Sequence, residues 1–154
     1  MKKGLMAIIA MMVLIGCGGE SVSNKKSSMV KTNYIEQGMQ YLKKNDVGQA
    51  IQSFDSAIKQ DPSNVDNFIV LAQVYMRLQN YSKAIDTLNA AQRVDPTNGE
   101  VQFVLATSNI VRAKQEASQG RPDLAQTLHQ SAVDAAKRSV DIYMTQRNEE
   151  KFKK

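Results

Sequence analysis

Residues 34–62, YIEQGMQYLKKNDVGQAIQSFDSAIKQDP, recur as residues 68–96, FIVLAQVYMRLQNYSKAIDTLNAAQRVDP, displaced by 34 positions. Tyr34 falls on Phe68, Gly38 on Ala72, Tyr41 on Tyr75, Ala50 on Ala84, Phe54 on Leu88, Ala57 on Ala91, and Asp61-Pro62 on Asp95-Pro96. Within each copy the apolar residues keep the spacing of one helix face, as in Ala50, Ile51, Phe54, Ala57 and Ile58. Gly38 and Ala72 are small where two helices must approach closely. Ala50, Ala57, Ala84 and Ala91 give the second helix a narrow face, and Tyr41, Phe54, Tyr75 and Leu88 supply the filling bulk. The register puts Ala84 inside the second unit and Lys83 on its outer face. Each copy closes at a proline, which disfavours helix in the residue before it and lacks an N–H for the ladder.

The order Tyr34-x2-Gln37-Gly38-x2-Tyr41, then Ala50-x3-Phe54 and Pro62, resembles the tetratricopeptide repeat. Tyr34 and Phe68 stand where that pattern has Trp, Gln37 where it has Leu, Ala72 where it has Gly, and Leu88 where it has Phe. The resemblance implies an all-α fold: a TPR-like helical-hairpin solenoid of about three units with an extended C-terminal capping helix.

The first helix is expected over about 31–44, with Asp46 and Gln49 capping the second in a capping-box-like arrangement. Turns are expected at Asn45-Asp46 and Gln79-Asn80, and Asn64 and Asn98 are candidate caps of the following helices. The third unit departs from the pattern. Gln102 and Asn109 occupy aromatic sites, and Ala125 lies 7 residues beyond the place where strict register would put the alanine, residue 118. Seven residues are about two helical turns, so a lengthened helix keeps its face. After the turn at Gly120-Arg121-Pro122-Asp123, Pro122 suits the first position of a long last helix. Leu128, Ala132, Ala135, Ala136, Ser139, Ile142 and Tyr143 would line its inner face. Asp134, Lys137, Arg138 and Asp141 on its other side give the polar surface a terminal repeat needs.

Ahead of the repeats, Met1-Lys2-Lys3 leads into an apolar run from Leu5 to Ile15, which ends at Leu14-Ile15-Gly16-Cys17. The run is shorter than the ~20 residues of a membrane-spanning helix and reads as an export signal. Leu14-Ile15-Gly16-Cys17 resembles the lipobox of bacterial lipoproteins. That resemblance implies cleavage before Cys17, a covalent lipid on its thiol, and Cys17 as the new N-terminus. Cys17 is the sole cysteine, so it has no disulfide partner within the chain, and a thiol in a flexible N-terminus with no fixed base is a poor nucleophile. The expected organisation is a signal peptide over 1–16, the lipidated cysteine and a flexible linker over 17–30, the helical domain over 31–148, and a basic tail over 149–154. Gly18, rather than Asp, after the cysteine implies the outer membrane in a two-membrane cell, with the domain on the periplasmic face.

The chain carries 20 Lys and Arg against 15 Asp and Glu, a net charge of +5 that falls to +3 once Lys2 and Lys3 are removed. Scattered basic residues without interleaved aromatics argue against nucleic acid. One histidine, His129, no cysteine pair, no Gly-rich phosphate loop and no Gly-x-Ser-x-Gly leave no constellation for catalysis, a metal or a small-molecule substrate. No enzyme and no cofactor beyond the lipid on Cys17 is expected.

What remains is a surface. In TPR-like arrays the first helices of successive units line a concave groove, and the resemblance places Ile35, Met39, Leu42 and Lys43, then Ile69, Gln73, Met76 and Arg77, then Phe103, Thr107 and Ile110 along it. The stripe is mainly apolar and suits an apolar helix or extended segment of a protein partner, with Met39 and Met76 giving adaptable contact. The other reading is that part of it is core, covered by the last helix folding back. The functional expectation is a membrane-anchored interaction scaffold or assembly factor of the bacterial envelope. A regulatory adaptor of an envelope enzyme, such as a peptidoglycan hydrolase, is the alternative.

Overall fold

Among the described residues six helices follow one another, all joined by short turns: α1 (Tyr34–Lys43), α2 (Val47–Gln60), α3 (Val65–Arg77), α4 (Tyr81–Val94), α5 (Gly99–Ser118) and α6 (Pro122–Phe152). The structure, a computed structural model, describes residues 33–152, with side chains to residue 150. The signal, Cys17 and the linker expected over 17–30 therefore lie outside the described residues. Those described fall within one compact unit, Thr32–Lys154.

Short polar side chains start the helices. Asn33, Asp46, Asn64, Asn80 and Asn98 each accept a hydrogen bond from a first-turn amide, at 3.1–3.2 Å. This satisfies donors that a helix start leaves unpaired. Asp46, Asn64 and Asn98 thus cap as the sequence suggests. At the other ends, the amide of Asp46 donates to the Tyr41 carbonyl at 2.9 Å, that of Asn80 to Tyr75 at 2.9 Å, and that of Arg121 to Glu116 at 3.0 Å. The residue before each donor takes the left-handed conformation: Asn45 at φ 58°, Gln79 at 57° and Gly120 at 75°. All three hairpins therefore turn by the same C-terminal motif.

That motif locates the insertion in the third unit. The left-handed residues are 34 apart between the first two hairpins and 41 between the second and third, and α5 has 20 residues where α3 has 13. The extra seven residues all lie in α5. Counted back from the turn, Glu116 consequently takes the place of Tyr41 and Tyr75, whereas counted from the helix start that place falls on Asn109. Its carboxylate is buried at the end of α5, 3.6 Å from Arg112 and 2.5 Å from Arg121, tying the long helix to the turn that follows it.

Gln79 is exposed, and a left-handed backbone costs a non-glycine residue about 1–2 kcal/mol. Gln79→Gly is therefore expected to stabilise the domain by about 0.5–1 kcal/mol, read as a rise in the urea midpoint at unchanged slope. A fall in the midpoint would mean that the Gln79 side chain contributes more than its backbone geometry costs.

Packing follows the repeat. An added Cβ at Gly38 would lie 2.5 Å from the Phe54 ring, which is why the close approach in the first hairpin needs glycine. Ala50, Phe54, Leu71 and Val74 join units one and two. Val65, Phe68, Ile69, Ala91 and Val101 form a second cluster, and Ala72, Ala84, Leu88, Leu105, Ala113, Leu128 and Ala135 form a third that runs into unit three. Asn67, itself buried, donates to the carbonyls of Ala57 and Asp61 at 3.2 and 3.3 Å and so fastens the end of α2 to α3.

The last helix differs from expectation in two respects. It continues to Phe152, so the boundary placed at 148 falls inside it. Its outer side is not polar throughout: Ala136, Val140, Tyr143 and Met144 are exposed beside Lys137 and Asp141. Tyr143 still has a structural contact, since its ring sits where a Cβ at Gly99 would lie, 2.9 Å away. The buried row comprises Leu128, Ala132, Ala135 and Ser139, whose hydroxyl donates to the Gly99 carbonyl at 3.0 Å. No helix among the described residues is long and apolar enough to cross a membrane.

Candidate functional site

The turn motif returns the chain in the same sense three times, so α1, α3 and α5 are successive first helices and present equivalent positions on one side. Ile35, Ile69 and Phe103 are equivalent by the 34-residue shift, as are Met39, Gln73 and Thr107, and Leu42, Met76 and Ile110. The long last helix packs chiefly along α5. In unit three, α6 meets the second-unit core through Leu128 and Ala135, in the cluster that holds Ile85 and Leu88 of α4. It does not fold back over that stripe.

The stripe is narrower than the resemblance implies. Ile69 is only 4% exposed, because it packs with Val65, Phe68, Ala91 and Val101, so it belongs to the core and not to a groove lining. Ile35 and Leu42 are half-buried against the junction of units one and two. Met76 is half-buried against the third core cluster, and the Ser108 hydroxyl donates to its Sδ at 3.2 Å. Its contact with α5 joins units two and three. In each case packing between neighbouring helices and units takes up the flank of this stripe, which a register argument within one hairpin does not see.

What remains open is Met39 at 47% exposed, Phe103 at 62% and Ile110 at 40%, with Gln73, Arg77 and Lys43 also exposed and Thr107 half-buried. The Thr107 hydroxyl donates to the Phe103 carbonyl at 3.0 Å, one turn back along α5. Phe103 and Ile110 are two turns apart on α5 and lie on the same face. Exposed large apolar side chains cost solvation in the free state, and their grouping here makes this face the candidate site. Among the described residues no three His, Cys, Asp or Glu side chains gather to hold a metal. His129 lies exposed on α6, away from this face.

Sequence reasoning missed two polar arrangements. Glu116 was hidden because the 7-residue insertion obscured its equivalence to Tyr41 and Tyr75; the turn at Gly120 was the available signal. Gln102 was noticed only as a missing aromatic. It is fully buried, and its Oε1 accepts from Arg138 Nε at 2.9 Å across to α6.

The comparisons with known proteins agree with this architecture. A family model for the tetratricopeptide repeat matches residues 41–107, less than half of the chain. No curated protein sequence matches. Among solved structures, the chain is similar to the TPR2B domain of yeast Sti1 in a complex with pHsp70, at 20% identity and TM-score 0.49, covering 74% of this chain and 98% of that one. It is also similar to MamA, at 22% identity and TM-score 0.49 over 73% of each chain. A third is the first TPR of Spaghetti (RPAP3) bound to the HSP90 peptide SRMEEVD, at 18% identity and TM-score 0.48 over 72% of this chain and 90% of that one. The 34-residue period, the three matching hairpin turns and the family match over residues 41–107 together make this an all-α fold built of tetratricopeptide-like helical hairpins.

Proposed function

We propose that the chain is a lipid-anchored interaction scaffold of the bacterial envelope, which receives an apolar segment of a protein partner on the first-helix face. The observation that carries this reading is the exposure of Phe103, Ile110 and Met39 on a face that α6 leaves open. The anchor rests on Leu14-Ile15-Gly16-Cys17 and on the polar stretch after it. A lipid on Cys17 would hold the domain at the membrane, and the linker would let its face reach a partner. On this reading the protein stands on the periplasmic face of the outer membrane, with Gly18 after the cysteine as support.

Cys17→Ser is expected to leave an unprocessed precursor that takes up no lipid label, while the helical domain keeps the thermal transition of the parent. Labelling the variant with a radioactive fatty acid checks this, and normal uptake would remove the anchor from the account. For the binding face, Phe103→Glu should abolish capture of the partner without unfolding the domain.

A further inference from the structure

A cleft of about 390 Å³ lies between α4, α5 and α6, away from the first-helix stripe. Its floor is apolar, made by Ile85, Leu105 and Leu128, and its walls carry three carboxamides, those of Asn89, Gln92 and Asn109. The corresponding junction of units one and two holds Ile58 where this one has Gln92, and Tyr75 where it has Asn109; both Ile58 and Tyr75 pack there against the core. Amides in place of packing residues cost stability unless they find hydrogen-bond partners. Asn109 is nevertheless 4% exposed.

The rim of the cleft is charged but unpaired. Asp134 and Arg138 are one turn apart on α6, a spacing at which opposite charges ordinarily pair. Among the described residues both ion pairs are made by Glu116, and neither involves Asp134 or Arg138. Amides hold the two charges instead: Gln130 Nε2 donates to Asp134 at 3.1 Å, and Arg138 Nε donates to Gln102 Oε1. On the fully buried Gln102, Nε2 is left without a partner beside Arg138. Gln102 lies behind Arg138 and does not itself line the cleft.

We propose that this cleft binds a short extended peptide through its main chain. A carboxamide offers an acceptor and two donors, so it can meet both the C=O and the N–H of a peptide unit. The apolar floor would take small aliphatic side chains. Opposite charges at the rim disfavour a polyanion, and no aromatic ring lines the cleft for a sugar or a base to stack on. The wall from Ile85 to Gln92 spans seven residues, about 10 Å at ~1.5 Å per residue. At about 3.3 Å per extended residue that length accommodates about three residues. The proposal does not rest on the first-helix face or on the lipid anchor.

The test is a nuclear magnetic resonance titration of the isotope-labelled full chain in detergent micelles with acetylated, amidated tetra-alanine. Saturable shifts of the Asn89, Gln92 and Asn109 side-chain amide signals are expected, with a dissociation constant of about 1 mM. Asn89→Leu should weaken binding about ten-fold, by loss of the amide's hydrogen bonds, without lowering the melting temperature. No saturable shift of these signals up to about 20 mM probe would overturn the proposal. Shifts confined to Gln73 and Thr107 would also overturn it, as would free alanine binding as tightly as the capped tetrapeptide, which would make the cleft a site for a zwitterion.

Discussion

Ala84→Phe is expected to destabilise the domain by about 1–3 kcal/mol or more. Ala84 is fully buried in the cluster that also holds Ala72 and Leu88, so a ring there must displace α3 from α4 or force neighbours off their rotamers. Urea denaturation reads the effect as a fall in midpoint. Asp86→Ala, on the exposed side of the same helix, should stay within about 0.5 kcal/mol. Equal losses from the two would mean that the faces of α4 are reversed. Lys83 is a less neutral control than its outer-face position suggests. Its Nζ lies 5.5 Å from the centroid of the Tyr75 ring, a contact worth about 0.5–1 kcal/mol at an exposed site. Burial first, and the Asp55 carboxylate second, also push the Tyr75 hydroxyl above its usual pKa, which keeps the ring neutral under that cation.

Met76→Glu should cost about 2 kcal/mol or more, because it sets a carboxylate against the third core cluster and removes the Ser108 contact. On sequence alone this substitution separates an open stripe, with little change in melting temperature, from one buried under the last helix. The structure removes that simple choice. Met76 is partly covered through its contact with Ser108 of α5 and the third core cluster, so its loss of stability carries no information about the open face. Phe103→Glu serves instead. With the Phe103 side chain largely in water, a charge there stays hydrated, and stability should change by no more than about 0.5 kcal/mol. A thermal melt of each variant checks both expectations. A large drop for Phe103→Glu would mean that the side chain is packed and that the face is not free.

The repeat made the hairpins legible, since one displacement of the sequence fixes which residues are small, which are bulky and where each unit closes. Asn64, Asn98 and Asp46 were legible as caps because a short polar side chain before an apolar period has one physical use there. The 7-residue insertion was legible as a length, and Pro122 as the start of the next helix. What the sequence did not disclose came from contacts between units. Ile69 and Met76 look like surface when one hairpin is considered; with the next unit in place Ile69 becomes core and Met76 half-buried. Glu116 and Gln102 were opaque for a related reason: each replaces an aromatic by a polar group whose partners, Arg112, Arg121 and Arg138, are set by the length of α5 and the path of α6. The apolar side chains left exposed on α6 were missed because a helix that outruns its neighbour has no second helix to define its inner face.

The central claim is that the first-helix face holds a partner, and in vivo photo-crosslinking from position 73 tests it most directly. Gln73 is exposed between Met39 and Thr107 in the register of the face, so a crosslinker there looks outward without entering the core. The account predicts a discrete adduct in the parent chain, absent when Phe103→Glu is added and absent when the crosslinker is moved to Asp86 on the outer side of α4. An adduct of equal yield with Phe103→Glu, or from Asp86 as readily as from Gln73, would contradict it.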